Sequence, residues 1–314
     1  MKYPNRELTA ARNESGLTSF PRFKPASVAK WPLALYLFCY VMVCLPLAAQ
    51  QPYAIAHDPA PNAQAPTRNR ETIIDSHGSR LMGMLLLASG TQLHPTAILL
   101  HGFPGYEQNM DLAQALRRDG WNVLAMHYRG SWGSQGTFSF THCMEDIGAM
   151  LAYLSEPANA AKFDIDQQRI VVIGHSMGGF MAVAAMAQHP QIAAGVVISE
   201  GSPERDGRGY FGKESDSADY APLVGTSPAA LQREAQANAE AWSFAALAAK
   251  IAPRPILDIT ANDGLRASNE ELVTALTHTG AQVTSLHMDT DHGFSDHRIA
   301  LETAILTWLD KTKQ

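Results

Sequence analysis

Residues 170–181, Ile-Val-Val-Ile-Gly-His-Ser-Met-Gly-Gly-Phe-Met, constrain this chain more than any other stretch. Four apolar, mostly β-branched residues read as a buried strand. An alanine-rich apolar segment, 180–188, reads as a helix. Between them, Gly174-His175-Ser176-Met177-Gly178 must turn the chain sharply, with Ser176 at the apex. Such a turn strains the apical backbone and needs small neighbours, which Gly174 and Gly178 supply, while Gly179 suits close helix packing. It also stands the Ser176 hydroxyl at the end of the sheet, where a helix N-terminus presents free N–H groups. The plain alternative is a glycine-rich turn with an incidental serine. The rest of the chain decides between them.

A serine hydroxyl becomes a nucleophile only with a base to take its proton, a carboxylate to hold that base, and N–H donors for the developing oxyanion. On a sheet of this type the acid and then the base follow the serine along the chain, each on a loop after a strand. Asp263, in Ala-Asn-Asp-Gly, follows an apolar strand at 255–260. Asn-Asp-Gly is also ordinary turn chemistry. His292, in Asp-His-Gly-Phe, follows a strand at 282–287. Of twelve histidines, His278, His287 and His297 compete, but only His292 combines that loop with an adjoining glycine. Glu200 and Glu204, after the strand 194–199, are the reserve acids. One oxyanion donor is expected from Met177, directly after the serine, and the other from His101-Gly-Phe-Pro-Gly105 after the strand 96–100. Phe103 is its natural donor, because Pro104 has no N–H. His101 is expected to brace that loop, and His175 to direct its ring away from the serine. Cys143 has no turn of this kind around it.

The remaining elements alternate. Runs at 71–75 and 80–88 flank Ser-His-Gly-Ser, a hairpin signal. A strand at 122–128 follows a helix at about 109–119, and a helix at about 141–154 follows the glycine-rich loop 129–136. Further helices fit near 267–279 and 296–312. An antiparallel start followed by alternating strand and helix gives a mostly parallel, doubly wound α/β sheet. The rhythm breaks at about 200–250, polar and glycine-rich first, then alanine-rich and helical over 227–249. An insertion there, after a central strand, falls over the carboxyl edge where ligands bind in open α/β sheets, so it reads as a small helical lid.

Before residue 70 the pattern differs. A polar, positively charged segment precedes an uncharged apolar run, 31–49, that closes on Ala48-Ala49. Residues 1–49 therefore read as a signal peptide with cleavage near Ala49, or as an uncleaved membrane anchor, since the run is just long enough to span a bilayer. Either reading sends the rest of the chain out of the cytoplasm, to the periplasm or the extracellular space. Residues 50–69, rich in Pro, Ala, Gln and Asn, read as a disordered linker, leaving 70–314 as the catalytic domain. A net charge of −6 offers no basic stripe, so nucleic acid is not an expected partner. Outside the apolar run only Cys143 remains, so neither an intrachain disulfide nor a thiolate metal cluster is expected in the domain.

The segments His101–Gly105, Gly174–Gly178, Asp263 and Asp291–Phe294 together resemble the α/β-hydrolase superfamily over about residues 70–312. The loop Tyr128-Arg-Gly-Ser-Trp-Gly-Ser134 is similar to that of its prolyl-oligopeptidase-like and esterase-like branch. The resemblance implies a Ser176–Asp263–His292 triad acting through an acyl-enzyme on a small acyl substrate, with no cofactor or metal. Hydrolysis of an ester is the leading expectation. Acyl transfer to an alcohol, peptide or amide cleavage, and a non-catalytic exported binding module are the alternatives.

The leader reading is open to direct test. Protein made in its native host should begin near Gln50, or remain intact in the membrane fraction. Intact residue 1 in the cytoplasmic fraction would overturn export.

Overall fold

The computed structural model describes residues 52–203 and 217–312. Eight strands form one sheet in the order β1-β2-β4-β3-β5-β6-β7-β8. They are β1 (Arg68–Ser76), β2 (Ser79–Leu87), β3 (His94–Leu100), β4 (Asn122–Met126), β5 (Ile165–His175), β6 (Ala194–Ile198), β7 (Pro255–Thr260) and β8 (Gln282–His287). The β1–β2 and β2–β4 pairs are antiparallel and all the others parallel. This is the expected doubly wound α/β architecture with an antiparallel start.

Strand position explains strand composition. Every residue of β3, β4 and β6 is buried, because central parallel strands are covered on both faces. The second half of β1 alternates exposed and buried, as an edge strand covered on one face does, and β8 at the opposite edge is largely exposed. Two apolar clusters fill the layers on either side of the sheet.

The helices follow the sequence pattern closely. They are α1 (Tyr53–Ala56), α2 (Met110–Arg118), α3 (Phe140–Ser155), α4 (Pro157–Lys162), α5 (Met177–Gln188), α6 (Ser217–Tyr220), α7 (Pro228–Ala237), α8 (Phe244–Ala248), α9 (Arg266–His278) and α10 (Arg298–Thr312). Helix α5 is buried from Met177 through Met186, as a helix that is apolar all round must be. Its first turn packs so tightly that a Cβ at Gly178 would lie 1.9 Å from the Leu100 carbonyl oxygen, and one at Gly174 1.9 Å from the Gly178 oxygen.

The alanine-rich 227–249 stretch is helical as expected, in two pieces, since Asn238 ends α7 and the Ser243 hydroxyl caps α8 by accepting from the Ala246 N–H. Two expectations need correction. The 50–69 stretch is not wholly a disordered linker. Ala54 of α1 is buried in the apolar layer and its carbonyl accepts from Arg118 at 2.6 Å, while β1 already starts at Arg68. Strand β5 begins at Ile165, earlier than its apolar core suggests, because Ile165 pairs with His94. Among the described residues no helix is long and apolar enough to cross a membrane. The apolar run 31–49 lies outside them.

The chain order places a topological switch between β3 and β5: β4 lies on one side of β3, while the chain returns to the other side with β5. The carboxyl ends of those two strands therefore open the crevice where ligands bind in such sheets.

One buried acid makes the fold pH-sensitive. Asp258 on β7 is 2% exposed, its Oδ1 has no hydrogen-bond partner, and burial raises its pKa from 3.8 to about 7. Between those values the folded state holds a proton that the unfolded chain has released. Stability should therefore fall by about 1.4 kcal/mol per pH unit over that window and level off above it. Asp258→Asn should flatten this slope. Its Tm advantage over wild type should be larger at pH ~8 than at pH ~4, and equal advantages at both would contradict the assignment.

Candidate active site

Each strand end at the switch point contributes one part of the site. Ser176 stands at the turn from β5 into α5 with φ +56° and ψ −125°, a conformation an L-residue holds only under constraint. The constraint is visible. Its N–H donates to the Ile198 carbonyl at 2.9 Å, and its own carbonyl accepts from Gly179 at 2.8 Å and Gly201 at 3.1 Å.

Asp263 and His292 come together from the loops after β7 and β8. His292 Nδ1 donates to Asp263 Oδ2 at 2.6 Å, which leaves Nε2 as the acceptor nitrogen. Asp263 is 5% exposed in its side chain and His292 40%. Ser199 Oγ donates to the same Oδ2 at 2.5 Å, and the Leu265 N–H donates to Oδ1 at 3.0 Å. Burial alone would raise the Asp263 pKa. The hydrogen bonds from His292, Ser199 and Leu265 outweigh it and hold the carboxyl down at about 2.

The reserve acids are not used in this pairing. Glu200 is buried toward α9: its N–H donates to Asn269 Oδ1 at 3.0 Å, and Ser268 Oγ donates to its Oε2 at 3.3 Å. Glu204 lies outside the described residues.

The His175 ring is directed to a partner that its sequence position did not identify: Nε2 donates to the His292 carbonyl at 2.8 Å and the two rings lie 4.7 Å apart. His175 thus ties the loop carrying His292 to the turn at Ser176. Burial, followed by the nearby His292, lowers the His175 pKa to about 4, so this ring stays neutral. The only local signal for this role was the position of His175 itself, since its partner is a backbone carbonyl far along the chain.

The loop after β3 lies against the nucleophile. A Cβ on Gly102 would sit 2.9 Å from Ser176 Cβ and 3.5 Å from its Oγ. That contact brings the loop carrying Phe103 beside the first turn of α5, where the Met177 N–H has no carbonyl to bond within the helix. His101 braces the loop as expected: Nδ1 donates to the Gly102 carbonyl at 2.8 Å, and burial lowers its pKa to about 4.

The glycine-rich loop 129–136 is anchored from below. The Arg129 N–H and Nε donate to Asp146 on α3 at 2.7 and 2.6 Å, and Ser76 donates to the same carboxylate at 2.7 Å. The 217–224 segment of the insertion crosses that loop: Val224 donates to the Gly130 carbonyl, and the Trp132 N–H to that of Pro222. Tyr220 packs edge-on against Phe103 at 5.4 Å. Glu234 on α7 accepts from the Phe140 and Thr141 N–H groups at the start of α3, at 3.0 and 2.7 Å. The described part of the insertion therefore reaches the 101–105 loop and is pinned beside it. Among the described residues no three His, Cys, Asp or Glu side chains group to hold a metal.

Comparison with known proteins agrees with the fold. The α/β hydrolase fold family matches residues 95–239. The chain has the α/β-hydrolase fold. Est1E from Butyrivibrio proteoclasticus, solved with ferulic acid, superposes with a TM-score of 0.61 at 19% identity, over 77% of this chain and 98% of that one. An acylaminoacyl peptidase from Pyrococcus horikoshii gives a TM-score of 0.59 at 18% identity, over 78% of this chain and 42% of that one. In sequence, the sn-1-specific diacylglycerol lipase ABHD11 of Xenopus laevis is 28% identical over 141 residues, 43% of this chain and 42% of that protein. The chain spans less than half the length of the curated relatives it matches.

Gly102 gives a sharp test of the loop–nucleophile contact. Gly102→Ala must push either the loop or Ser176 aside, and displacements of ~1 Å at a reacting centre cost about 10²-fold. A folded Gly102→Ala variant with unaltered labelling of Ser176 by a fluorophosphonate would contradict the contact.

Proposed function

We propose that the chain is a serine hydrolase that cleaves carboxylic esters through a Ser176–Asp263–His292 triad and an acyl-enzyme intermediate. The observation that carries this reading is the Asp263–His292 pair at 2.6 Å, held by His175 to the strained turn that presents Ser176 at the switch point.

The steps follow from the groups in place. Asp263, ionised across the neutral range, keeps the His292 proton on Nδ1 and leaves Nε2 free to accept. Ser176 Oγ adds to the substrate carbonyl carbon as its proton passes to Nε2. The carbonyl oxygen becomes an oxyanion and takes hydrogen bonds from the Phe103 and Met177 N–H groups. Collapse expels the alcohol, which leaves with the proton from His292, and the acyl group stays on Ser176. Water then repeats the sequence, giving its proton to Nε2 and releasing the acid. Burial holds the His101 and His175 pKa values down at about 4, so both rings are neutral at neutral pH and neither competes for charge with His292.

The aromatic contact of Phe103 with Tyr220 supports an acyl substrate with an apolar part near the oxyanion loop. The proposed site of action is outside the cytoplasm, reached through cleavage of the leader or while tethered by 31–49.

Ser176→Ala and His292→Ala should each abolish fluorophosphonate labelling and reduce hydrolysis of p-nitrophenyl esters by ~10⁴-fold or more, and the double variant should be no worse. Asp263→Asn should cost on the order of 10³–10⁴-fold with the fold intact. An active Asp263→Asn beside an inactive Glu200→Gln would overturn the acid assignment. A panel of p-nitrophenyl esters of rising chain length, beside aminoacyl anilides, separates esterase from peptidase activity. Products formed with added alcohols report acyl transfer.

A further inference from the structure

Ser199 was not among the residues expected to act, yet it touches the acid as closely as the base does. It is fully buried at the end of β6, with φ +44°, a left-handed conformation that is uncommon for a serine. Its N–H donates to the Ile259 carbonyl at 2.7 Å, locking it onto β7. Its Oγ donates to Asp263 Oδ2, the oxygen that also receives His292 Nδ1. The next two residues continue the bracket. Glu200 is clasped by Asn269 through both its N–H and its carbonyl, and the Gly201 N–H donates to the Ser176 carbonyl. Residues 199–201 thus grip the acid, the first turns of α9 and the nucleophile within three positions. They are also the point at which the chain enters the insertion.

We propose that Ser199 is a positioning residue for the triad, its hydroxyl fixing the Asp263 carboxylate so that Oδ2 stays aligned on His292 while the 199–201 bracket ties that carboxylate to Ser176. The inference rests on the triad reading given above. The left-handed backbone at 199 is the means: it swings the Oγ off the line of β6 and across to the loop after β7. A carboxylate on a loop rotates freely about its last torsion. Here three donors from three directions, His292, Ser199 and the Leu265 N–H, leave it a single orientation.

The hydroxyl also shapes the charge that His292 meets. By donating to Oδ2 it withdraws negative charge from the oxygen facing Nδ1. Removing it concentrates that charge and favours the protonated imidazole, so the rate should begin to fall at higher pH on acidification. Other groups near the pair are His175, which is neutral, and Arg298 on α10. Arg298 is paired with Asp111 on α2 and also donates to the Gly293 carbonyl.

The test compares wild type, Ser199→Ala and Ser199→Gly in the full chain, with p-nitrophenyl butyrate as substrate and melting temperature as a control. Glycine accepts the positive φ without strain, so it separates loss of the hydroxyl from loss of the backbone conformation. Both variants should lose roughly 10- to 100-fold in kcat with KM within about twofold. In both, the acidic limb of the kcat/KM profile should move to higher pH. A wild-type rate in folded Ser199→Gly overturns the proposal, and so does a lowered rate with an unmoved acidic limb, which would mark a purely structural role. Failure of the triad reading looks different: wild type itself would then take no fluorophosphonate label on Ser176.

Discussion

The structure depends on how closely α5 approaches the end of β3. With the Leu100 carbonyl 1.9 Å from where a Gly178 Cβ would stand, the helix start cannot be drawn back without opening the centre of the sheet. That packing sets where α5 begins, and so where the chain must turn out of β5. Ser176 bears the consequence as backbone strain, a cost sustained by the apolar burial of the whole helix behind it. The same approach sets the first-turn N–H groups of α5 beside the 101–105 loop. The strained turn at Ser176 and the placing of the Met177 N–H are thus two results of one packing contact.

Around this contact the polar groups divide by burial. His101 and His175 are nearly fully buried and held neutral, each spending one ring nitrogen on a backbone carbonyl. They serve as struts. His292 is the imidazole left substantially open to solvent, and its carboxylate partner is buried and held ionised. In the proposed reaction, a charge forming on His292 would meet a fixed anion on one side and water on the other. Burial thus sets His101 and His175 apart as neutral struts and leaves His292 open to solvent.

Most of the architecture was legible because it rests on local pattern. All eight strands were marked by apolar runs between turn residues, and Asp263 and His292 by their places on loops after strands. What escaped was long-range. Ser199 gave no signal, because its role needs both a left-handed φ and an acid 64 positions later. The His175 hydrogen bond spans 117 positions and ends on a backbone carbonyl, which carries no residue identity to read. The break between α7 and α8 and the docking of Ala54 were hidden by alanine, whose high helix propensity marks neither a stop nor a partner.

The insertion shows how the scaffold and the site are joined. Its α7 helix caps α3 through Glu234, and α3 in turn holds Arg129 through Asp146. Arg129 opens the loop that the 217–224 segment crosses on its way to Tyr220 and Phe103. At its root, residues 199–201 bond to Ser176 and Asp263 directly. The described part of the insertion is therefore fastened both at its root, to Ser176 and Asp263, and through Tyr220, to Phe103. A shift at its far end reaches the oxyanion loop through Tyr220, whereas a shift at its root reaches the acid through a single hydroxyl. Substitutions in the insertion should accordingly divide by place: near Tyr220 they act through packing on Phe103, and at 199–201 through the orientation of the charge on Asp263.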